Sequence, residues 1–513
     1  MKSERTKNAL RNTAWGAALR LTTLFGPFAV KTILIRRLGL EYNGLNALFQ
    51  SILTLLNLAN LGFSGAVVYT MYDAVARKDD AALCALLHFF RRIYWTVGLV
   101  ILCLGLLLLP FLPLLVGAEA PPGADLRQMF GLYLAATVLE YIPFGYVTVL
   151  FSAHQREDLR LRLLTGRYLL QYALQILLLT VLNSSVAYLW VLPLLALPNG
   201  AANYWTARRY YPTLRCVGQP EVAVKGQIYR RVRTLFGHKV GNTLLVSADS
   251  LLIAAALGLS VQARYSNYYY ILTAVNGLAE IFTGGILSGI GNKLIADSRE
   301  ENHRLFRTLS CGWALLIGFF AACLLCLYQP FVSGIWIGPE GLLGPADVAW
   351  MTLFFYAWMI RLLQLTYRDA AGLWTRDWLK PYLGAALKLC LSLLLLRLTG
   401  SLVGVLLPTV LVLALLYFPW EAWVLHRELF GQSMADYLRQ MCRYTLLNAC
   451  GAALALGGSL YLAPEHTQTA FFLRMIPVCL LFPLPWLGAM GKEGELRAFL
   501  RLLLRLVNRA PSS

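Results

Sequence analysis

The chain has 513 residues, of which 58% are apolar and 14% charged, where ordinary soluble domains carry about 25% charged residues. With a mean hydropathy of +0.59 and apolar runs recurring from one end to the other, a string of soluble domains is excluded and one polytopic membrane domain is the simpler reading. A net charge of +19 raises nucleic acid as a partner, yet membrane proteins gather Lys and Arg in cytoplasmic loops, so the location of the charge decides.

The N-terminal stretch MKSERTKNALRNTAWGAALR has no short apolar core followed by a small-residue cleavage site and reads as the basic flank of a retained first helix. A span needs about 20 largely apolar residues. That rule predicts an all-α integral membrane protein with spans near 12–35, 44–70, 93–116, 128–151, 164–182, 186–206, 235–257, 267–290, 310–333, 347–371, 382–398, 402–424, 444–462 and 469–490, fourteen in all. Cys323 and Cys326 form a CxxC in mid-span, where Cys acts as a small hydrophobe, and no metal site is expected.

With the N-terminus in the cytoplasm, inner loops receive the clusters around Lys2 to Arg11, Arg77 to Arg92, Arg156 to Arg162, Arg208 to Arg233, Lys293 to Arg307, Arg376 to Lys380, Arg427 to Arg443 and Lys492 to Arg509. The outer side receives only Arg36, Arg37, Arg127, Arg264 and Arg397. That asymmetry of about sixfold follows the positive-inside rule, places both termini in the cytoplasm and removes the need for nucleic acid. The outer loops VGAEAPPGAD, LNSS, IGPEGLLGPAD and APEHTQ are too short for an external catalytic domain, and no Walker A loop is present.

The longest inner connection, 207–234, is basic and carries turn signals at Tyr211-Pro212 and Gly218-Gln219-Pro220. It divides a six-helix half at 1–206 from a second at 235–425, with two extra spans at 426–490 and a tail at 491–513. An internal echo accompanies the division. TLFG occurs at 23–26 and again at 234–237, and Leu-Gly follows at 38–39 and at 257–258, a match that a parallel repeat or chance in a Leu-rich chain both explain. In the tail, Arg497, Arg501 and Arg505 recur every four residues opposite Leu496, Phe499, Leu500 and Leu503, the pattern of a helix lying on the membrane surface.

Eight cations fall within spans: Arg20, Lys31, Arg167, Lys239, Arg361, Arg368, Lys388 and Arg474. A charge at mid-bilayer costs about 2.5 to 3.5 kcal/mol on insertion scales, so it faces a wet cavity or a partner unless it snorkels. Arg167, Arg368 and Arg474 lie near span ends and are expected to snorkel. Arg20 and Lys31, eleven residues apart, share one helical stripe with Leu24 and Pro27, and Arg361 and Arg368, seven apart, share another. Such stripes predict a basic, water-accessible cavity that attracts an anion, since Arg pairs phosphate bidentately. In LFGHKVGNTLLVSADSLLIAAALG, residues His238, Asn242, Leu245 and Asp249 fall on one face, with Lys239 turned away. A carboxylate in low dielectric takes up a proton or pairs with a cation. Asp249, Glu140 just before Pro143, and Glu280 are therefore expected to couple ions or to form structural pairs. No cofactor is expected, and energy would come from a proton or sodium gradient, the membrane potential or downhill flow.

The run from Asn12 to Tyr72, ADSLLIAAALG with RYSNYYYILTAVNGLAEIFTGGILSGIGNKLIA, YRDAAGLWTRDWLKPYLGAALKL and Gly404-Val405 together resemble bacterial polysaccharide flippases of the multidrug/oligosaccharidyl-lipid/polysaccharide exporter superfamily. The resemblance extends from residue 8 to about 425. It implies two six-helix bundles in a V plus two C-terminal helices, and a basic central cavity that moves an undecaprenyl-diphosphate-linked oligosaccharide from the inner to the outer leaflet of the bacterial plasma membrane. Arg20 and Lys31 match the family's cavity-lining positions in type, and Asp249 matches its acid in span 7. Pro408 and Lys388 depart from the family pattern, which weakens any inference about the sugar. The implied partners are membrane lipids, a polysaccharide polymerase and glycosyltransferases. The competing readings are a lipid II flippase and an integral polysaccharide polymerase or ligase.

Overall fold

Without water in the bilayer core, every backbone amide must be satisfied within its own segment, and the chain answers with helices throughout. The computed structural model describes residues 2–57, 63–117, 120–121, 123–373, 376–491 and 494–508, excepting the side chains of 2–7, 9, 234–236, 238, 242, 246, 281–289, 291–292, 295 and 502–508. No strand occurs among the described residues. Contacts divide the chain into two units, Met1–Ala263 and Arg264–Ser513.

The first unit contains α1 (Lys2–Leu38), α2 (Leu40–Leu56), α3 (Phe63–Arg77), α4 (Asp80–Val116), α5 (Leu126–Tyr141), α6 (Gly145–Ala153), α7 (Glu157–Leu182), α8 (Ala187–Tyr210) and α9 (Val222–Leu257). Helix α10 (Leu259–Ala296) begins in it. The second unit holds α11 (Arg299–Trp336), α12 (Pro345–Ala370), α13 (Lys380–Thr399), α14 (Val403–Phe430), α15 (Met434–Leu462), α16 (Gln468–Met490) and α17 (Gly494–Asn508). Among the described residues nine helices are long and apolar enough to cross a membrane, or ten if the bent pair α5 and α6 forms one span. Every stretch predicted as a span is mainly helical where described, with internal turns at 142–144, 361 and 482–483. Those at 164–182, 186–206 and 267–290 are not among the helices passing that stricter test, and 44–70 is α2 and α3 on either side of residues outside the described set.

Breaks between helices follow the punctuation of the sequence. Gly39 ends α1 at φ 100°, ψ 171°, and Gly258 ends α9 at φ 89°, ψ 170°, nearly the same conformation at the two sites of the Leu-Gly echo. This region of backbone space is reserved for glycine. Helix α1 runs through Pro27 as one helix. Pro143, by contrast, stands at a real bend of 47° between α5 and α6, because proline offers no amide to continue the ladder. Helix α12 of the second unit is also interrupted, at Arg361.

In the first unit α1 packs along α7, and α5 along α8, around a core centred on Leu45, Phe49, Leu112, Met129 and Phe130. The second unit is tied by polar groups as well as by packing. Asn448 accepts from Trp486 Nε1 at 2.9 Å and donates to the Ala314 carbonyl at 2.9 Å and to Tyr356 Oη at 3.2 Å, which links α11, α12, α15 and α16. Helix α17 docks on α11: Leu496 is buried, Phe499 meets Gly312, and Glu495 pairs with Arg307 at 2.7 Å and accepts from Tyr444 at 2.7 Å. The tail thus has a protein partner for one face and leaves Arg497 and Arg501 exposed.

Candidate functional site

The bend at Pro143 opens a polar cavity inside the first unit. Gly145 allows it, since a β-carbon there would collide with the Glu140 carbonyl oxygen. The cavity has a volume of about 330 Å³ and is walled by α4, α5, α6, α7 and α8. From α7, Arg167 donates through Nη1 to Glu140 on α5 at 2.7 Å; its side chain is 7% exposed whereas that of Glu140 is 50% exposed. The Arg167 guanidinium also lies 5.6 Å from the ring of Tyr168. Its Nε has no hydrogen-bond partner among the described residues, and neither has Oδ1 of buried Asn203 on α8, whose amide donates to the Asn199 carbonyl at 2.8 Å. Buried polar atoms left unsatisfied cost about 1–3 kcal/mol each, so this wall keeps capacity for a polar ligand. Arg160, a second guanidinium of the lining, donates to Glu157 at 2.8 Å.

In the second unit a buried chain of charges surrounds the break at Arg361. Arg361, 2% exposed, donates to both oxygens of Glu421 on α14, at 3.0 and 2.6 Å. Lys380, at the start of α13, donates to Glu421 at 2.6 Å and to Asp377 at 2.7 Å. Arg368 closes the series, reaching Asp377 at 2.9 Å and Asp369 at 2.7 Å. Three cations meet three carboxylates, and the ring of Tyr417 lies 4.9 Å from the Arg361 guanidinium and 5.2 Å from the Lys380 ammonium. Such an arrangement stabilises buried charge by pairing and by ring quadrupoles. Arg361 and Arg368 do share one side of α12, as their spacing predicts, and both meet carboxylates there.

The remaining predicted residues lie on α1, α9, α10 and α13. Arg20 is exposed and Lys31 half-buried on α1; Lys239 and Glu280 are exposed; Asp249 on α9 and Lys388 on α13 are buried at 1% and 0%. The side chains of His238 and Asn242 lie outside the described residues. Snorkelling, expected for three arginines, gives way to specific partners. Arg474 is the clearest case: it is buried and donates to the carbonyls of Ala463, Cys326, Pro464 and Glu465, at 2.9 to 3.2 Å, holding the α15–α16 turn against α11. Among the described residues no group of three or more His, Cys, Asp or Glu is placed to hold a metal ion. Asn199, Asn203 and the ring of Tyr168 escaped sequence reasoning because neutral residues in a span carry no signal of cost; Glu421 escaped because it sits at a span end.

A separate apolar groove of about 690 Å³ lies between α12, α14 and α15, lined by Leu353, Ile360, Phe418, Met441 and Leu446, with the Tyr356 and Thr445 hydroxyls 3.0 Å apart at its wall.

Long apolar helices recurring along the described residues, with charges paired where spans are interrupted, define a multi-span membrane protein. The chain belongs to the family described as polysaccharide biosynthesis protein, whose pattern it matches over residues 9–287. Among curated proteins none matches by sequence. Several solved structures share the fold. The lipid II flippase MurJ in an inward closed conformation is 12% identical, with 96% of this chain and 99% of that one covered and a TM-score of 0.62. An inward-facing multidrug resistance MATE family transporter of the MOP superfamily is 13% identical, covering 80% and 97%, at 0.63. The Vibrio cholerae MATE transporter VcmN in its bent form is 14% identical, covering 86% and 99%, at 0.52.

Proposed function

We propose that the chain flips undecaprenyl-diphosphate-linked oligosaccharide repeat units from the cytoplasmic to the outer leaflet of a bacterial plasma membrane, by alternating access, with both termini in the cytoplasm. The observation that carries this reading is family membership over residues 9–287, joined to a fold that a lipid flippase also uses. Chemistry supports it. A diphosphate head calls for cations such as Arg20 and Lys31 on α1, and a polyprenyl chain calls for apolar surface such as the groove of the second unit. Lipid II is the second reading, favoured by the likeness to MurJ along 96% of this chain. A polymerase or ligase has less support, because the outer loops expected from the sequence are short.

The test is reconstitution in proteoliposomes with defined undecaprenyl-diphosphate glycans and lipid II, each read by a label that reaches one leaflet only. The expected result is transfer of the oligosaccharide carrier faster than lipid II, with transfer reduced at least about tenfold in the Arg20→Ala/Lys31→Ala double variant. Faster transfer of lipid II would assign the second reading; equal rates with and without the protein would remove both.

A further inference from the structure

The cavity beneath the α5–α6 bend is not needed for holding a diphosphate, and its walls have a different character. It is small-molecule sized, at about 330 Å³. Aromatic residues line it, Tyr94 and Tyr168 among them, the amphipathic kind of wall that a pyranose packs against. Amides line it too: Asn199 and Asn203 carry donors and acceptors in the mixture that sugar hydroxyls need, and Oδ1 of Asn203 has no partner among the described residues. Charge adds a third feature. Glu140 engages Arg167 through Nη1 only, the guanidinium keeps an unpartnered Nε, and Arg160 brings a second positive group to the wall. Arg160 is balanced by Glu157 and Arg167 by Glu140, so what is left for an anion is the unpartnered Nε of buried Arg167 rather than a net charge.

We propose that this cavity is a saccharide subsite for an acidic pyranose, a sugar ring carrying a carboxylate, with the carboxylate on Arg167 and the ring hydroxyls on Asn199 and Asn203. The proposal rests on the flippase reading for the source of that sugar, which is the carried glycan. A phosphate would offer the same anionic oxygens to Arg167, but it would leave the amides and rings unused. Glu140 then acts as a positioning residue: it fixes one edge of the guanidinium and admits only a ligand that can take the other.

The test uses the purified full chain in lipid nanodiscs and measures binding of methyl β-D-glucuronide, methyl β-D-glucoside and inorganic pyrophosphate by calorimetry or ligand-observed NMR. The expected result is glucuronide bound at least about tenfold more tightly than glucoside. That preference should vanish in the Glu140→Gln/Arg167→Gln double variant, which removes the pair together, and should persist in the exposed control Arg397→Gln. Asn203→Ala should weaken both sugars. Equal affinity for the two sugars in the unmodified chain, which needs no variant to fold, would overturn the proposal. So would a preference that survives the double substitution, or pyrophosphate bound more tightly than glucuronide and lost with Arg167. Binding is read without translocation, so the two readings fail separately. A chain that binds glucuronide yet transfers no lipid-linked glycan sinks the flippase reading, whereas one that transfers glycan yet binds no glucuronide sinks only the subsite.

Discussion

Glu421 accepts from Arg361 and Lys380 at once, and each of these contacts is buried. Removing one partner of a buried pair leaves a charge that costs about 3–5 kcal/mol, whereas removing both with apolar residues is often neutral. Glu421→Gln should therefore lower the thermal midpoint of the protein in detergent by several degrees. Arg361→Met/Glu421→Leu should recover most of the loss, since Lys380, Arg368, Asp377 and Asp369 remain as two cations with two carboxylates. A double variant no more stable than Glu421→Gln would refute this account. Sequence inspection finds the cations here because each is conspicuous in an apolar run. It does not find their partners: helical spacing relates residues on one helix, while Arg361 and Glu421 are 60 positions apart and Glu140 and Arg167 are 27 apart, on different helices.

At the scale of elements, legibility followed from punctuation. Gly39, Gly258 and Pro143 interrupt helices where the sequence places them, each through its backbone chemistry, whereas Pro27 sits within α1 without breaking it. The interruption at Arg361 has no such signature, since neither glycine nor proline stands there. The matching conformations of Gly39 and Gly258 invite a paired test. Gly39→Ala and Gly258→Ala should each destabilise the protein by about 1–3 kcal/mol, since a β-carbon is strained at φ near 90–100°. Gly16→Ala, in mid-helix with no atom near a new β-carbon, should be neutral or slightly stabilising. Thermal denaturation of the three variants checks it; tolerance of both alanines at the bends would mean that the glycines are incidental.

For the molecule as a whole, fold class was open to sequence reading because lipid imposes a length and a composition on every span. The span count is less secure, since α7, α8 and α10 carry polar residues that blunt their hydropathy and become intelligible only when neighbouring helices are seen to cover them. Energy coupling belongs to this scale too. Asp249 is enclosed on α9 at 1% exposure. If it exchanges a proton or cation with each cycle, Asp249→Asn should make transfer in proteoliposomes insensitive to an imposed proton or sodium gradient while the protein remains folded. A response to the gradient equal to that of the unmodified protein would assign the residue to structure.

The charge chain of the second unit also bears on biogenesis. Arg361 leaves the ribosome 60 residues ahead of Glu421, the acid that neutralises it. An arginine entering lipid alone costs about 2.5–3.5 kcal/mol, so α12 gains by waiting beside the translocon until α14 has been made. Release of the two helices as a group would spare that cost, because the pair exists only once both have been made.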